Sequence, residues 1–311
     1  MEKTILGRTG FEVSRMGIGG GGPSQLGRRT GKSEDESVDI LCRAFDGGVN
    51  FVDTAEGYGT EEIIARALQG RARESVIIST KKSTRHKEVT PQTLLDSIDQ
   101  SLRHLATDYI DLYNLHGVVP QDYDYLVENI YPALEKARDA GKIRSIGITE
   151  MFNEDMGHQT LARAVADGLW DVVMIGFNLL NQTARASVLE KARENNIGVQ
   201  VMFAVRKAFR APENLREFVA ELVAKGQLDS GDIDVENPLN FLIEEGLAES
   251  LTDASYRFCR DEPGVHVVLS GTGNPAHLEA NMQSFTRPAL PTATTEKLRY
   301  IFRNVDSTTG Q

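Results

Sequence analysis

The chain has 311 residues, 40% hydrophobic and 25% charged, with a formal net charge of -11 and a mean hydropathy of -0.30. A chain of this size buries about three quarters of the surface that it exposes unfolded, so it reads as a soluble globular protein, and its acidity argues against nucleic acid or an anionic membrane as partner. It has no apolar run near the roughly 18 residues of a membrane helix, no apolar signal core at its start and no CxxC around Cys42 or Cys259, which points to a reducing, cytoplasmic location.

Residues 3–6 and 11–13 flank the polar turn Gly7-Arg8-Thr9-Gly10 and predict a small β-hairpin that covers one end of the main fold. Beyond it, strand-like and helix-like runs alternate. Strands are expected at 16–19, 50–52, 76–80, 109–115, 145–148, 172–177, 199–203 and 265–269. Helices are expected at 34–45, 61–68, 91–105, 125–140, 155–166, 183–194, 247–260 and 275–285. Eight such units favour a closed barrel over an open doubly wound sheet, so the fold class is α/β: a single (β/α)8 TIM barrel domain over 1–311, with no linker or composition shift to divide it. One insertion, 206–246, separates the seventh strand from its helix. It carries an amphipathic helix at 212–224 and another at 238–245, with Asn237 as cap and Pro238 at the first helical position, and is expected to fold over the ligand end. A last helix at 295–302 precedes a flexible tail, 306–311.

Several motifs fail on context. Gly17, Gly19 and Gly22 have G-x-G-x-x-G spacing, but Pro23 follows and no helix begins before about Ser33, so these glycines present no helix N-terminus to a pyrophosphate. The stretch from Gly27 to Ser33 is one residue short of a P-loop, and Ser33 with Glu36 reads as a capping box. The histidines at 86, 104, 116, 158, 266 and 277 form no i, i+4 pair and have no cysteine company, so no metal is expected. No G-x-S-x-G elbow is present.

The informative stretch is Asn50 to Gly59, which puts Asp53 and Tyr58 on the loop after a short apolar strand. Lys81 follows the third strand and His116 the fourth, so in a barrel all four converge on the mouth formed by the strand C-termini. A phenol with an ammonium to lower its pKa from about 10, a carboxylate to hold that ammonium and an imidazole to donate to a substrate oxygen suit protonation of the alkoxide left by hydride transfer to a carbonyl. Tyr58 is then the general acid, Lys81 its tuner, Asp53 the orienter and His116 the oxygen donor.

These residues resemble the aldo-keto reductase family, through Leu6-Gly7-Arg8-Thr9-Gly10, Asn50 to Gly59, Ser79-Thr80-Lys81, Asp111 to His116, Gly141 to Gly147, Phe177-Asn178-Leu179-Leu180 and Pro275 to Asn281. The resemblance covers nearly the whole chain. It implies a catalytic tetrad of Asp53, Tyr58, Lys81 and His116, with Lys81 rather than Lys82 as the working lysine, and NADP(H) or NAD(H) extended across the mouth. The cofactor contacts implied are Thr149, Glu150, Met174, Met202, Phe203, Gly271, Thr272, Gly273, Asn274, His277 and Asn281. Thr149-Glu150 stands where the family has Ser-Asn for the nicotinamide carboxamide, Met174 where it has glutamine, and Met202, beside Phe203, where it has a stacking tyrosine. His116 is followed by glycine where many members carry tryptophan. Glu150 is therefore expected as a carboxylate beside the nicotinamide. The segment 270–281 holds no lysine or arginine, only His277, which predicts weak discrimination between the dinucleotides or a lean towards the unphosphorylated one.

The implied activity is reduction of an aldehyde, ketone or sugar to an alcohol, or the reverse. A cofactor-binding sensor barrel with little turnover is the alternative, and Schiff-base chemistry through Lys81 or Lys82 is disfavoured by Asp53. The loops 118–125 and 151–156 and the insertion are expected to line the substrate pocket, their polarity leaning towards sugars or other polyols. Oligomeric state is not readable from the chain.

Overall fold

The computed structural model describes residues 1–85 and 89–311, so His86 lies outside the described residues. The expected hairpin forms: β1 (Lys3–Ile5) pairs antiparallel with β2 (Glu12–Ser14). Eight parallel strands then close into a barrel: β3 (Met16–Gly19), β4 (Phe51–Asp53), β5 (Ile77–Ser83), β6 (Ile110–Val118), β7 (Ile143–Glu150), β8 (Val172–Gly176), β9 (Gly198–Met202) and β10 (Val267–Ser270). β10 bonds to both β9 and β3, which completes the circle. The helices are α1 (Glu34–Asp46), α2 (Glu61–Ala67), α3 (Pro91–Leu105), α4 (Tyr123–Tyr125), α5 (Tyr131–Asp139), α6 (Gln159–Asp167), α7 (Glu190–Glu194), α8 (Pro212–Ala224), α9 (Phe241–Glu244), α10 (Leu251–Arg260), α11 (Pro275–Ser284) and α12 (Thr292–Ile301). This is the (β/α)8 barrel with an N-terminal hairpin.

Alternation along the strands builds two cores. Outward residues such as Ile146, Ile148, Val173 and Ile175 join Ile40, Leu94 and Ile98 of the surrounding helices. Inward residues Phe51, Ile77, Leu112, Val172 and Val267 form a separate layer with Leu6 and Val13 from the hairpin, so the hairpin closes the barrel floor. Gly198 must be small there, because a Cβ on it would stand 2.9 Å from the Leu6 side chain.

The helix starts follow local chemistry. Ser33 and Glu36 form a reciprocal capping box on α1, and Thr90 with Thr93 does the same on α3, where Pro91 occupies the first turn that has no use for its missing N–H. The helix expected at 125–140 instead begins at Tyr123 and passes through a π-type turn, Leu126–Ile130, ahead of α5. Pro132 offers no N–H at that point, which fits the widened turn.

Three expectations need correction. Lys81 and His116 do not follow their strands but lie inside them, because β5 continues to Ser83 and β6 to Val118, with Ser83 opposite His116 in the ladder. The second helix of the insertion is only α9: Asn240 is its cap, and Leu239, with φ 61°, breaks the chain's helical path after Pro238. The tail 306–311 is not free. Asn181 Nδ2 donates to the Thr308 carbonyl at 3.1 Å, Asn178 Nδ2 to the Thr309 carbonyl at 3.2 Å and the Ala208 N–H to the Gly310 carbonyl at 3.0 Å, while Gln311 accepts from Arg206 Nε. Such long-range partners are invisible in a polar hexapeptide read alone. No described helix is long and apolar enough to cross a membrane.

Candidate active site

Phe51 and Asp53 both point inward from β4, one in the floor and one at the mouth, and the same alternation brings Lys81 up from β5 and His116 from β6. Lys81 is buried. Its ammonium donates to Asp53 Oδ2 at 2.5 Å and to the Thr54 carbonyl at 2.6 Å. Asp53 Oδ1 accepts from Ser79 Oγ at 2.9 Å, and Ser79 accepts in turn from Asn114 Nδ2 at 3.0 Å. The acid and the ammonium are thus held by neighbours one turn of the pleat below.

Tyr58 ends a short 3-10 turn (Glu56–Tyr58) that Gly59, with φ 65°, closes. Its ring lies 5.3 Å from the Lys81 ammonium, and its hydroxyl is 3.3 Å from His116 Nε2, the two rings meeting edge to face. Burial pushes the Tyr58 phenol above its ordinary value. The Lys81 ammonium pulls against this and Asp53 adds to it, so the expected net lowering is not what the geometry produces. Burial also raises Asp53, opposed by Lys81 and Ser79. His116 is pushed down to about 3 by burial, then by Lys81 and Arg85, and is a neutral imidazole.

Lys82 faces the other way. Its ammonium sits 3.2 Å from both Glu56 oxygens, and Ser97 Oγ donates to the same carboxylate at 2.6 Å.

A cleft of about 920 Å³ opens over these groups, at the upper end of the range for ligand sites. Asp53, Tyr58, Lys81 and His116 line it at one end, and His277, Asn281 and Arg287 at the other; Thr149, Glu150, Met174, Met202, Phe203, Gly271 and Thr272 also border it. Gly273 and Asn274 do not. Gly273 packs against Gly27 of the loop before α1, and the Asn274 side chain caps α11 by accepting from the Ala276 N–H.

Glu150 departs most from expectation. Its carboxylate is fully buried, both oxygens lie 2.9 Å from His158 Nδ1, and Oε1 also accepts from the Gly176 N–H at 2.7 Å. Burial pushes its carboxyl up, against the pull of His158. The parity of β7 explains this: Thr149 shares the inward face, where its hydroxyl accepts from the Gly117 N–H, while Glu150 shares the outward parity of Ile148 and turns to α6. His158 stacks on Phe152, and its Nε2 lies 2.9 Å from Thr183 Oγ1.

Other wall residues carry no motif. Phe152 and Asn153 reach the cleft from the loop after β7, Arg210 is its contribution from 206–246, and Tyr256, Asp253 and Arg287 close the far end. Neither the insertion's helices nor loop 118–125 lines the cleft. Asp253 Oδ1 accepts from Arg287 at 3.0 Å and Oδ2 from Arg257 at 3.1 Å.

The cleft fits an extended dinucleotide. Gly19, Gly21, Gly22 and Gly271 offer it bare backbone, and polar side chains stand at both ends. Residues 15–301 match the Aldo/keto reductase family. The chain belongs to that family.

This family comprises oxidoreductases acting on aldehydes and sugars with nicotinamide cofactors. The family member described here is 28% identical to the Aldo-keto reductase YhdN of Bacillus subtilis over 303 residues, 90% of this chain and 87% of the relative. It is also 28% identical to the NADH-specific methylglyoxal reductase of Escherichia coli over 243 residues, 70% of this chain and 72% of that protein. Among solved structures, aldo-keto reductase AKR11C1 from Bacillus halodurans, holo form, superposes with a TM-score of 0.74 at 23% identity, covering 99% of this chain and 97% of that one, a likeness of fold.

Proposed function

We propose that this oxidoreductase reduces a small carbonyl compound to an alcohol, or runs the reverse, with Tyr58 as the group that gives and takes the proton. The observation that supports this is the Tyr58 hydroxyl placed 3.3 Å from His116 Nε2 and beside a Lys81 ammonium locked by Asp53. Gly19, Gly21, Gly22, Gly271, Thr272 and Asn281 would hold the nicotinamide dinucleotide along the cleft, with Thr149, Met174, Met202 and Phe203 nearest its reactive end. When bound in reduced form it supplies a hydride to the carbonyl carbon.

The carbonyl oxygen then takes the proton of Tyr58. An alkoxide is a far stronger base than a phenolate, so a phenol raised by burial still donates downhill. Lys81 stabilises the phenolate that remains until solvent returns the proton, and a neutral His116 offers an N–H to the same oxygen without competing as an acid. In the reverse direction each transfer runs backwards. Asp53 is a positioning residue: it holds Lys81 and touches no reactant.

The cytoplasm remains the proposed location, in keeping with two unpaired thiols, Cys42 and Cys259. The test is Tyr58→Phe. It removes the proton donor and keeps the ring, so turnover should drop by orders of magnitude while the dissociation constant of reduced cofactor stays near that of the parent. Substantial remaining turnover would overturn the role of Tyr58. Cofactor binding without turnover of any carbonyl by the parent protein would favour the sensor alternative.

A further inference from the structure

A second cavity of about 290 Å³ shares Tyr58, His116 and Met151 with the main cleft, but its other polar wall is Glu56, Ser83 and Arg85. It touches the proposed proton donor without touching the residues that line the dinucleotide's length. Its volume suits a molecule of a few carbons. The two charges on its wall differ in how firmly they are held. Glu56 is saturated: Lys82 lies 3.2 Å from both oxygens, Ser97 Oγ donates at 2.6 Å, and the Ser83 N–H at 3.3 Å. Arg85 meets the carboxylate of Glu154 at 3.4 Å with both side chains more than half exposed, and otherwise touches the sulfur of Met151. An exposed pair of that length contributes little and exchanges readily for a better anion. Arg85 and Tyr58 and His116 of the reacting centre line this one cavity, and the guanidinium's charge adds a little to what holds the imidazole neutral.

We propose that this cavity seats the substrate and selects small carbonyl compounds that carry an anionic group, carboxylate or phosphate. Arg85 takes the anion while the carbonyl oxygen faces Tyr58 and His116. The assignment rests on the carbonyl-reducing reading of the site. Hydroxyl-rich neutral sugars, which the polarity of the loops alone would favour, find the carboxylate of Glu56 already occupied.

The experiment uses two matched pairs with reduced cofactor: 4-oxobutanoate against butanal for carboxylate, and glyceraldehyde 3-phosphate against glyceraldehyde for phosphate. The expected result is a higher kcat/KM for the charged member of at least one pair. In Arg85→Gln the charged-to-neutral ratio should fall at least about tenfold, with partial recovery in Arg85→Lys, as for the loss of a charge-assisted hydrogen bond. Which pair responds tells carboxylate from phosphate. In Glu154→Gln, which frees the guanidinium, the ratio should hold or rise. Equal use of both members in both pairs, or a ratio unmoved by Arg85→Gln, overturns the proposal. A second readout needs no turnover: protein loaded with reduced cofactor should bind 4-hydroxybutanoate more tightly than 1-butanol, and Arg85→Gln should abolish the difference. If no carbonyl is reduced at all, the carbonyl-reducing reading fails, and this binding difference still decides the role of Arg85.

Discussion

Gly21 lies flat against the ring of Tyr58: a Cβ built on it would stand 2.4 Å from Cε2 and 2.6 Å from Cζ. No side chain fits there without moving the phenol away from His116. Gly21→Ala should therefore lower kcat by about a hundredfold, the scale of a misplacement of about 1 Å in a catalytic group. Unfolding midpoints in denaturant should stay near the parent's, because the site is at the open mouth. An unchanged kcat would show that the ring position is not critical.

The two adjacent lysines separate cleanly. Lys81→Met leaves Asp53 buried with no ammonium partner, and breaking a buried pair costs about 3–5 kcal/mol, so this variant should lose both turnover and stability. Lys82→Met breaks a largely enclosed pair with Glu56, whose carboxylate keeps Ser97 and the Ser83 N–H, and should cost less than Lys81→Met, about 1–3 kcal/mol, with turnover within a few fold. Paired kinetics and urea melts give the comparison, and a greater loss of turnover in Lys82→Met would reverse the assignment.

Two half-buried imidazoles set an acid limit. His116 is held down to about 3 and His266 to about 4, mainly by burial; His266 Nδ1 accepts from the Val199 N–H, which requires the unprotonated nitrogen. Well above pH 6.5 both are neutral whether folded or unfolded, so stability there does not depend on their titration. Below 6.5 the unfolded chain takes up protons that the folded one refuses, so stability falls as pH drops from 6.5 towards 4. His266→Gln should flatten this decline by up to about 3 kcal/mol, read from urea midpoints at pH 7 and pH 4.5. The rate of carbonyl reduction should show no ionisation near pH 6.5, and a step there in kcat/KM would contradict a neutral His116.

Arg287 borders the main cleft from just beyond α11, outside the segment 270–281 that contains no lysine or arginine. Asp253 already neutralises it at 3.0 Å. Discrimination between the two reduced dinucleotides should accordingly stay within about tenfold in kcat/KM, since a full charge-assisted contact of about 1.5–3 kcal/mol is missing. A hundredfold preference for the phosphorylated form would mean that Arg287 leaves Asp253 to bind it.

Much of the site could be read from the chain because Asp53, Lys81 and His116 come from three consecutive strands, where parity and order alone bring them together. What escaped depends on partners remote in sequence. Glu150 looked like a cofactor contact until His158, eight residues on, claimed its carboxylate; the choice between inward and outward parity at the last residue of β7 is settled by packing against α6. Arg85 could not be told from an ordinary exposed cation, because only the folded loop 55–58 makes a cavity beside it. The strand ends were set too early since polar Lys81, Lys82 and His116 read as loop, whereas Lys82 on the outer side of β5 finds its own acid in Glu56 and the ladder continues.

The hairpin floor gives the molecule two independent ends. Leu6, fully buried against Phe51, Ile77, Leu112, Val172 and Val267, belongs to the end away from the cleft, which none of these residues lines. Truncating it to alanine should cost about 2–5 kcal/mol and leave the chemistry at the rim untouched. Heat tolerance and reactivity can accordingly be adjusted by separate sets of mutations, one at the stopper and one at the rim, so a lineage can adapt to a hotter habitat without retuning what it transforms.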